Sequence, residues 1–225
     1  MRQRWHNLLF AHWPIEPDVL RQVVPREFEI DLYEGRAWIG VVPFFMSHVT
    51  ARGVPPLPWL SAFPELNVRT YVRVGDRPGI YFFSLDAGSM PAVWTARRWL
   101  NLPYFKASMK IARLGDTVEY GSRRQELPAA QLNVTYAPTG APFVPVPGSL
   151  EYFLTERYCL YQLDHRGRPY RLEIHHPLWS LQPARAEFAA NTMAAASGIA
   201  LPSTAPLLHF VERQDMVGWA PSRLA

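Results

Sequence analysis

Between Glu65 and Val74 hydrophobic and polar positions alternate strictly. Leu66, Val68, Val72 and Val74 share one face with Thr70, and Glu65, Asn67, Arg69, Tyr71 and Arg73 share the other, as side chains do along a strand. Gly75-Asp76 predicts a turn and residues 79–86 the returning strand. Upstream, residues 7–13 read as a short apolar strand ended by Pro14. Pro17 opens a short helix through Val24, and Pro25 closes it. Residues 28–33 and 37–45 flank Glu34-Gly35 and predict an antiparallel hairpin, with Pro43 marking an edge or a bulge. The proline-rich stretch 52–64 predicts a loop.

Downstream, Ser89 predicts the cap of a helix over residues 90–100, with Pro91 in its first turn and Pro103 beyond its end. Residues 104–112 and 117–120 about Gly115-Asp116 predict another hairpin. Strands are expected at residues 131–136, 158–163, 170–176, 184–189 and 206–214, with a helical turn after Ser149 and a short helix over 192–197. No repeat, linker or heptad interrupts this order. The pattern predicts one antiparallel α+β domain over residues 1–225, with two main helices.

Composition narrows the class. A chain of 225 residues, 48% hydrophobic and 19% charged, has a full core, and disorder is excluded. Aromatic residues at 13% favour pleated strands. One cysteine, Cys159, rules out an intrachain disulfide and a Cys-based zinc site, and it reads as a buried structural thiol. Lys106 and Lys110 are the only lysines, so 21 of the 23 basic residues are arginine. They are scattered rather than striped, which argues against a nucleic-acid partner. No apolar run approaches the ~18 residues of a membrane span, and no apolar signal core follows Met1. The expectation is a cytoplasmic protein without membrane contact.

Phosphate-cradling glycine motifs and the G-x-S-x-G elbow are absent. Adjacent His175 and His176 face opposite sides of a strand and cannot chelate together, and Asp164-His165 falls on a turn. No metal site and no cofactor are expected. The polar row on residues 65–73 has two readings. It either faces water, as one side of an antiparallel strand does, or lines a cavity, which the flanking aromatics Tyr81, Phe82 and Phe83 favour. In a cavity, a carboxylate, a guanidinium and a phenol together could orient a small acid or carbonyl compound.

Several ordered blocks carry a resemblance. They are Trp5 with residues 7–13, residues 35–44, 65–72 and 79–86, Ala96-Arg97, Leu102-Pro103-Tyr104 and Glu156-Arg157-Tyr158. Together they resemble the YqjF-like family of uncharacterised bacterial proteins over nearly the whole chain. That family is similar to acetoacetate decarboxylase-like proteins, which implies a curved, mostly antiparallel sheet, a cone or partial barrel enclosing a pocket. The resemblance places Glu65 at an active-site glutamate of the decarboxylase and Arg97 at an arginine of its helix. His6, with Arg4 nearby, falls close to another active-site arginine. Where the decarboxylase has proline and two lysines, the first forming a Schiff base, this chain has Pro103, Tyr104 and Phe105. A phenol cannot form an imine. Lys106 is either a displaced nucleophile, facing the same way as Tyr104 on an extended segment, or an exposed strand lysine.

The expected site therefore comprises Glu65, Tyr104 and Lys106 as catalytic candidates and Arg69, Asn67, Tyr71, Arg97 and His6 as ligand-binding candidates. Two functions fit. One is an enzyme that enolises, dehydrates or cleaves an oxo acid without an imine. The other is a non-catalytic ligand-binding or interaction protein, its tryptophan-rich surface serving homo-oligomerisation.

Overall fold

The computed structural model describes residues 1–50 and 62–224. In chain order the elements are β1 (Arg2–Ile15), α1 (Pro17–Arg21), β2 (Glu29–Ile30), β3 (Ala37–Thr50), β4 (Phe63–Val74) and β5 (Arg77–Ala87). Next come α2 (Met90–Thr95), which widens into a π turn at Ala96–Leu100, β6 (Tyr104–Leu114), β7 (Thr117–Arg124), β8 (Gln131–Pro138) and α3 (Leu150–Thr155). The chain closes with β9 (Cys159–Leu163), β10 (Pro169–His175), β11 (Gln182–Asn191), β12 (Leu207–Gly218) and β13 (Ser222–Arg223). α1 ends three residues before the expected Val24, α2 with its π turn fills the expected residues 90–100, and among the described residues the protein is mostly β-sheet. None of those helices is long and apolar enough to cross a membrane. Of the 52–64 loop, residues 52–61 lie outside the described residues, whereas Phe63 and Pro64 begin β4.

The thirteen strands of the described residues belong to one sheet with forked pairing. The ladder β12–β1–β3–β4–β5 is antiparallel throughout. At β5 it divides: Leu85–Ala87 pair in parallel with Tyr104–Lys106 of β6, and Ile80-Tyr81 pair in parallel with Leu160-Tyr161 of β9. One branch runs through β6, β7, β8 and β11, the other through β9 and β10, and both return to β12. The central strands are consequently covered on both faces. Leu9, Val41, Leu66 and Val68 enter the main core, while Leu8, Phe10, Val42 and Phe44 point the other way into a second cluster.

Two departures from the sequence reading have local causes. The expected hairpin of residues 28–33 with 37–45 is reduced to one antiparallel bridge, Tyr33 to Arg36 about Glu34-Gly35; β2 pairs instead with the edge of β4, Glu29 opposite Arg73. Phe28 is fully buried, the Asp31 N–H donates to the Tyr71 carbonyl, and the Asp31 carboxylate meets Arg157, so this segment is drawn to β4. On β5, Phe83 is an extra residue between the pairs Val68–Ser84 and Arg69–Phe82. This bulge reverses the alternation. Ile80 and Phe82 before it and Leu85 after it consequently face the same way. Pro43, expected at an edge or a bulge, sits opposite an irregular stretch of β1, where the β1–β3 register slips between His6 and Ala11.

The fork at β5 leaves no room for a side chain at Gly79. A Cβ there would stand 2.6 Å from the Tyr161 ring and 2.7 Å from the Cys159 carbonyl oxygen. Cys159 is buried, as expected, its thiol donating to the Pro78 carbonyl at 3.3 Å. Gly79→Ala is expected to lower stability by about 2–3 kcal/mol through overpacking against backbone, read as a lower urea midpoint with unchanged slope. A second lock lies one strand away. Arg124 at the end of β7 forks onto both oxygens of Asp86 on β5, at 2.6 to 3.2 Å, and lies 3.9 Å over the Phe105 ring.

Candidate functional site

The polar row of β4 lies on the buried side that also carries Phe10, Val42 and Phe44. Glu65, Asn67 and Arg69 line one cavity of about 80 Å³ together with Tyr104, the first residue of β6. The parallel register sets Tyr104 beside Leu85, across β5 from the row. Its hydroxyl donates to Glu65 Oε2 at 2.8 Å. Apolar side chains, among them Leu8, Val42, Phe44, Phe82 and Leu85, make up much of the remaining wall.

Electrostatics follow from this enclosure. Burial pushes the Glu65 carboxyl up to about 8, and the Tyr104 hydrogen bond offsets only part of the shift. Burial, reinforced by the Glu65 charge, moves Tyr104 well above the usual phenol range. Among the described residues no carboxylate pairs with Arg69 within 4.0 Å. Its guanidinium lies 5.0 Å from the Phe10 ring centre and 5.9 Å from that of Tyr71, and its Nε has no hydrogen-bond partner. The Asn67 Oδ1 is likewise buried without a partner.

Behind Arg69, the Tyr71 hydroxyl and His12 Nε2 share a 2.6 Å hydrogen bond. Burial holds His12 well below its usual pKa, with Arg69 adding to the shift. Gly40, opposite His12 on β1 and Arg69 on β4, makes room for both. A Cβ there would lie 3.0 Å from the His12 ring and 3.5 Å from the Arg69 stem.

The remaining expected residues stand apart from the cavity wall. Tyr71 supports the site from behind through His12. Arg97 is exposed; its Nε donates to the Tyr104 carbonyl at 2.6 Å and its guanidinium meets Glu126, so it holds the Tyr104 backbone. His6 is bonded to Ser47 Oγ at 2.8 Å. Lys106 falls beside Ala87, and neither it nor Lys110 lines the cavity. Conversely, Arg157 and His176 line it without having been singled out. Arg157 is held by Asp31 at 2.6 Å and by the Phe153 carbonyl, and lies 5.1 Å from the Tyr71 ring centre. His176 stacks on Tyr158 at 4.7 Å, and burial lowers its pKa. The Glu156-Arg157-Tyr158 block and the opposite facing of His175 and His176 were the available signals. Among the described residues, no group of three or more His, Cys, Asp or Glu side chains is placed to hold a metal ion.

Comparison with known proteins agrees with this architecture. The family model DUF2071, described as an uncharacterised conserved protein, matches residues 2–215. The chain is 48% identical over 219 residues to the uncharacterised protein YqjF of Bacillus subtilis, covering 97% of this chain and 90% of that one. Among solved structures, acetoacetate decarboxylase of Legionella pneumophila superposes with a TM-score of 0.68 at 13% identity, covering all of this chain and 88% of the other. The enduracididine biosynthesis enzyme MppR superposes with a TM-score of 0.69 at 10% identity, covering all of this chain and 89% of the other. These distant likenesses define the fold alone. The chain thus belongs to the DUF2071 family, whose YqjF-like sequence is carried here on an acetoacetate decarboxylase-like sheet.

Proposed function

We propose that the curved sheet encloses the binding site of a small carboxylate-bearing carbonyl compound, a 2-oxo acid, and that the protein moves a proton on it without forming an imine. The observation that carries this reading is the Tyr104–Glu65 hydrogen bond inside a cavity whose arginine, Arg69, has no ion-pair partner among the described residues. Arg69 holds the substrate carboxylate. Glu65, with its pKa raised to about 8, is poised as general base at physiological pH. It removes the proton from the carbon next to the carbonyl. Tyr104 then turns its hydroxyl from the newly protonated Glu65 to the enolate oxygen. A Glu65–Arg69 ion pair would instead have favoured passive binding, and none forms among the described residues.

Two proteins of the same fold have oxo acids in their descriptions: acetoacetate decarboxylase itself, and MppR, solved in complex with pyruvate. The absence of lysine from the cavity wall supports the imine-free route here.

Proton NMR of pyruvate in D2O tests the reading. The methyl protons are expected to exchange faster than in the protein-free control, with the rate rising about tenfold per pH unit up to about pH 8 and then levelling, because the base must be ionised. Glu65→Gln is expected to lose about 100-fold or more. Borohydride treatment with pyruvate should leave the intact mass unchanged. No exchange, or a borohydride-trapped adduct on Lys106, overturns the proposal.

A further inference from the structure

We infer that Trp5 sets the length of the molecule this cavity accepts and holds it to the shortest 2-oxo acids, pyruvate and 2-oxobutyrate. The inference rests on the proposed reading of the cavity as a 2-oxo acid site and adds to it the residue that determines specificity.

The strand registers give the cavity a direction. Arg69 of β4 stands opposite Gly40 of β3, which in turn faces His12 of β1. Further back along β4, Glu65 stands opposite Phe44. One pleat beyond that, Phe63 is level with Met46, and Met46 with Trp5. Trp5 therefore lies about 6.6 Å past the Glu65 row, on the side away from Arg69. Arg69, Glu65 and Trp5 all line the one cavity. With the substrate carboxylate at Arg69 and its C3 proton at Glu65, any further carbon of the chain is carried towards Trp5.

Trp5 is held there as an end wall. It is half-buried and lines the cavity, so its indole stands between that space and solvent. The ring stacks on Trp179, with centroids 5.9 Å apart and 17° between the planes, and leans on Phe44 at 5.6 Å. Its Nε1 donates to Gln3 Oε1 at 3.1 Å. Trp179 backs it firmly. That second indole is 2% exposed, donates from Nε1 to the Thr155 carbonyl at 2.8 Å, and meets the Phe10 ring edge-on at 5.0 Å.

The enclosed space is small. A water molecule needs about 10–15 Å³ of such volume, so the cavity of about 80 Å³ holds about five to eight non-hydrogen atoms. Pyruvate and 2-oxobutyrate fall inside this limit, and 2-oxooctanoate falls outside it. Shortening Trp5 opens space at the end where a longer chain would lie, and leaves Arg69, Glu65 and Tyr104 in place. The backbone of β1 stays paired on both edges, Trp5 lying between Gln214 and Met46.

Proton NMR in D2O, run separately with pyruvate, 2-oxobutyrate and 2-oxooctanoate, tests the inference through exchange at C3. The exchange breaks the C3–H bond, passes the proton to Glu65 and leaves the electron pair in the enolate. The enolate then takes a deuteron back from Glu65 once that carboxyl has exchanged with solvent. Wild-type protein is expected to accelerate exchange of the two short acids at least about tenfold more than that of 2-oxooctanoate. The ratio of 2-oxooctanoate to pyruvate should rise at least about tenfold in Trp5→Ala and about threefold in Trp5→Phe, which carries the test if the alanine variant does not fold. Phe82→Leu enlarges the wall opposite Arg69 and should leave this ratio within about twofold of wild type. An unchanged ratio in the folded Trp5 variants overturns the inference and leaves the oxo acid site standing. An equal rise in Phe82→Leu, or wild-type protein that handles 2-oxooctanoate as well as pyruvate, does the same. Failure of wild-type protein to exchange any of the three removes the underlying reading and this inference with it.

Discussion

Glu65→Gln is expected to make the folded protein more stable than its parent by about 3–4 kcal/mol at pH 8 and less stable by about 1–2 kcal/mol at pH 4. The parent carboxyl titrates near 8 in the folded state against 4.5 for the ordinary group, chiefly because it is buried. A carboxyl with a raised folded pKa holds its proton more tightly folded than unfolded. Its contribution is therefore most favourable below about pH 4.5, and it is lost progressively as pH rises to about 8. At about 1.4 kcal/mol per pH unit the full interval amounts to about 5 kcal/mol. Glutamine never ionises and keeps an acceptor for the Tyr104 hydroxyl, although its amide protons need new partners at a cost of about 1–2 kcal/mol. Urea unfolding at half-unit steps from pH 4 to pH 9 reads the difference. Parallel stability profiles for parent and variant would mean that Glu65 is not enclosed as described.

An effect of similar size and opposite sign is expected at the β5–β7 lock. Arg124→Met removes the only cation bonded to the Asp86 carboxylate among the described residues, in a pair whose side chains are 1% and 0% exposed. Breaking such a pair typically costs about 3–5 kcal/mol, because the remaining charge is stranded in the interior. Burial already raises the Asp86 pKa and Arg124 pulls it back, so the variant's Asp86 should titrate higher still. The loss should accordingly be smallest at acid pH, where the carboxyl is protonated, and grow towards neutrality. The double variant Asp86→Leu/Arg124→Met should recover much of the stability, since no isolated charge is left. Urea midpoints at pH 5 and pH 7.5 for the parent and the two variants decide the matter. Asp86 is adjacent to Leu85, the register partner of Tyr104, so the single variant should also disturb the phenol's aim at Glu65.

What the sequence made legible was local. Strict alternation on residues 65–74 located β4 and its polar row. Proline and glycine placed most turns. The ordered blocks pointed to Glu65 and Tyr104 as neighbours, although 39 positions separate them. The rest depended on pairings between distant segments. Arg157 and His176 reach the cavity because β9 joins β5 in parallel, a partnership that strand periodicity cannot express. The reversal at Phe83 was hidden for a related reason: a bulge is defined by the partner strand's register. Lys106 shares parity with Tyr104 but lies one pleat further along, where β6 leaves β5 for its ladder with β7. Tyr71 continues the β4 row, yet Arg157 and the His12 hydrogen bond place it behind Arg69 rather than on the wall.

The pairing of β1 with β12 also sets a timetable for synthesis. One edge of β1 meets β3 within the first fifty residues, but the other finds its partner only when residues 207–218 emerge. At about 5–20 residues per second the ribosome needs about 10–40 s to deliver that partner. Throughout this interval an apolar edge carrying Leu8, Leu9 and Phe10 is open to neighbouring chains. Sheets closed by such long-range pairing fold slowly. During heterologous expression, therefore, the yield of native protein should respond more to translation speed and chaperone supply than to the stability of the finished fold.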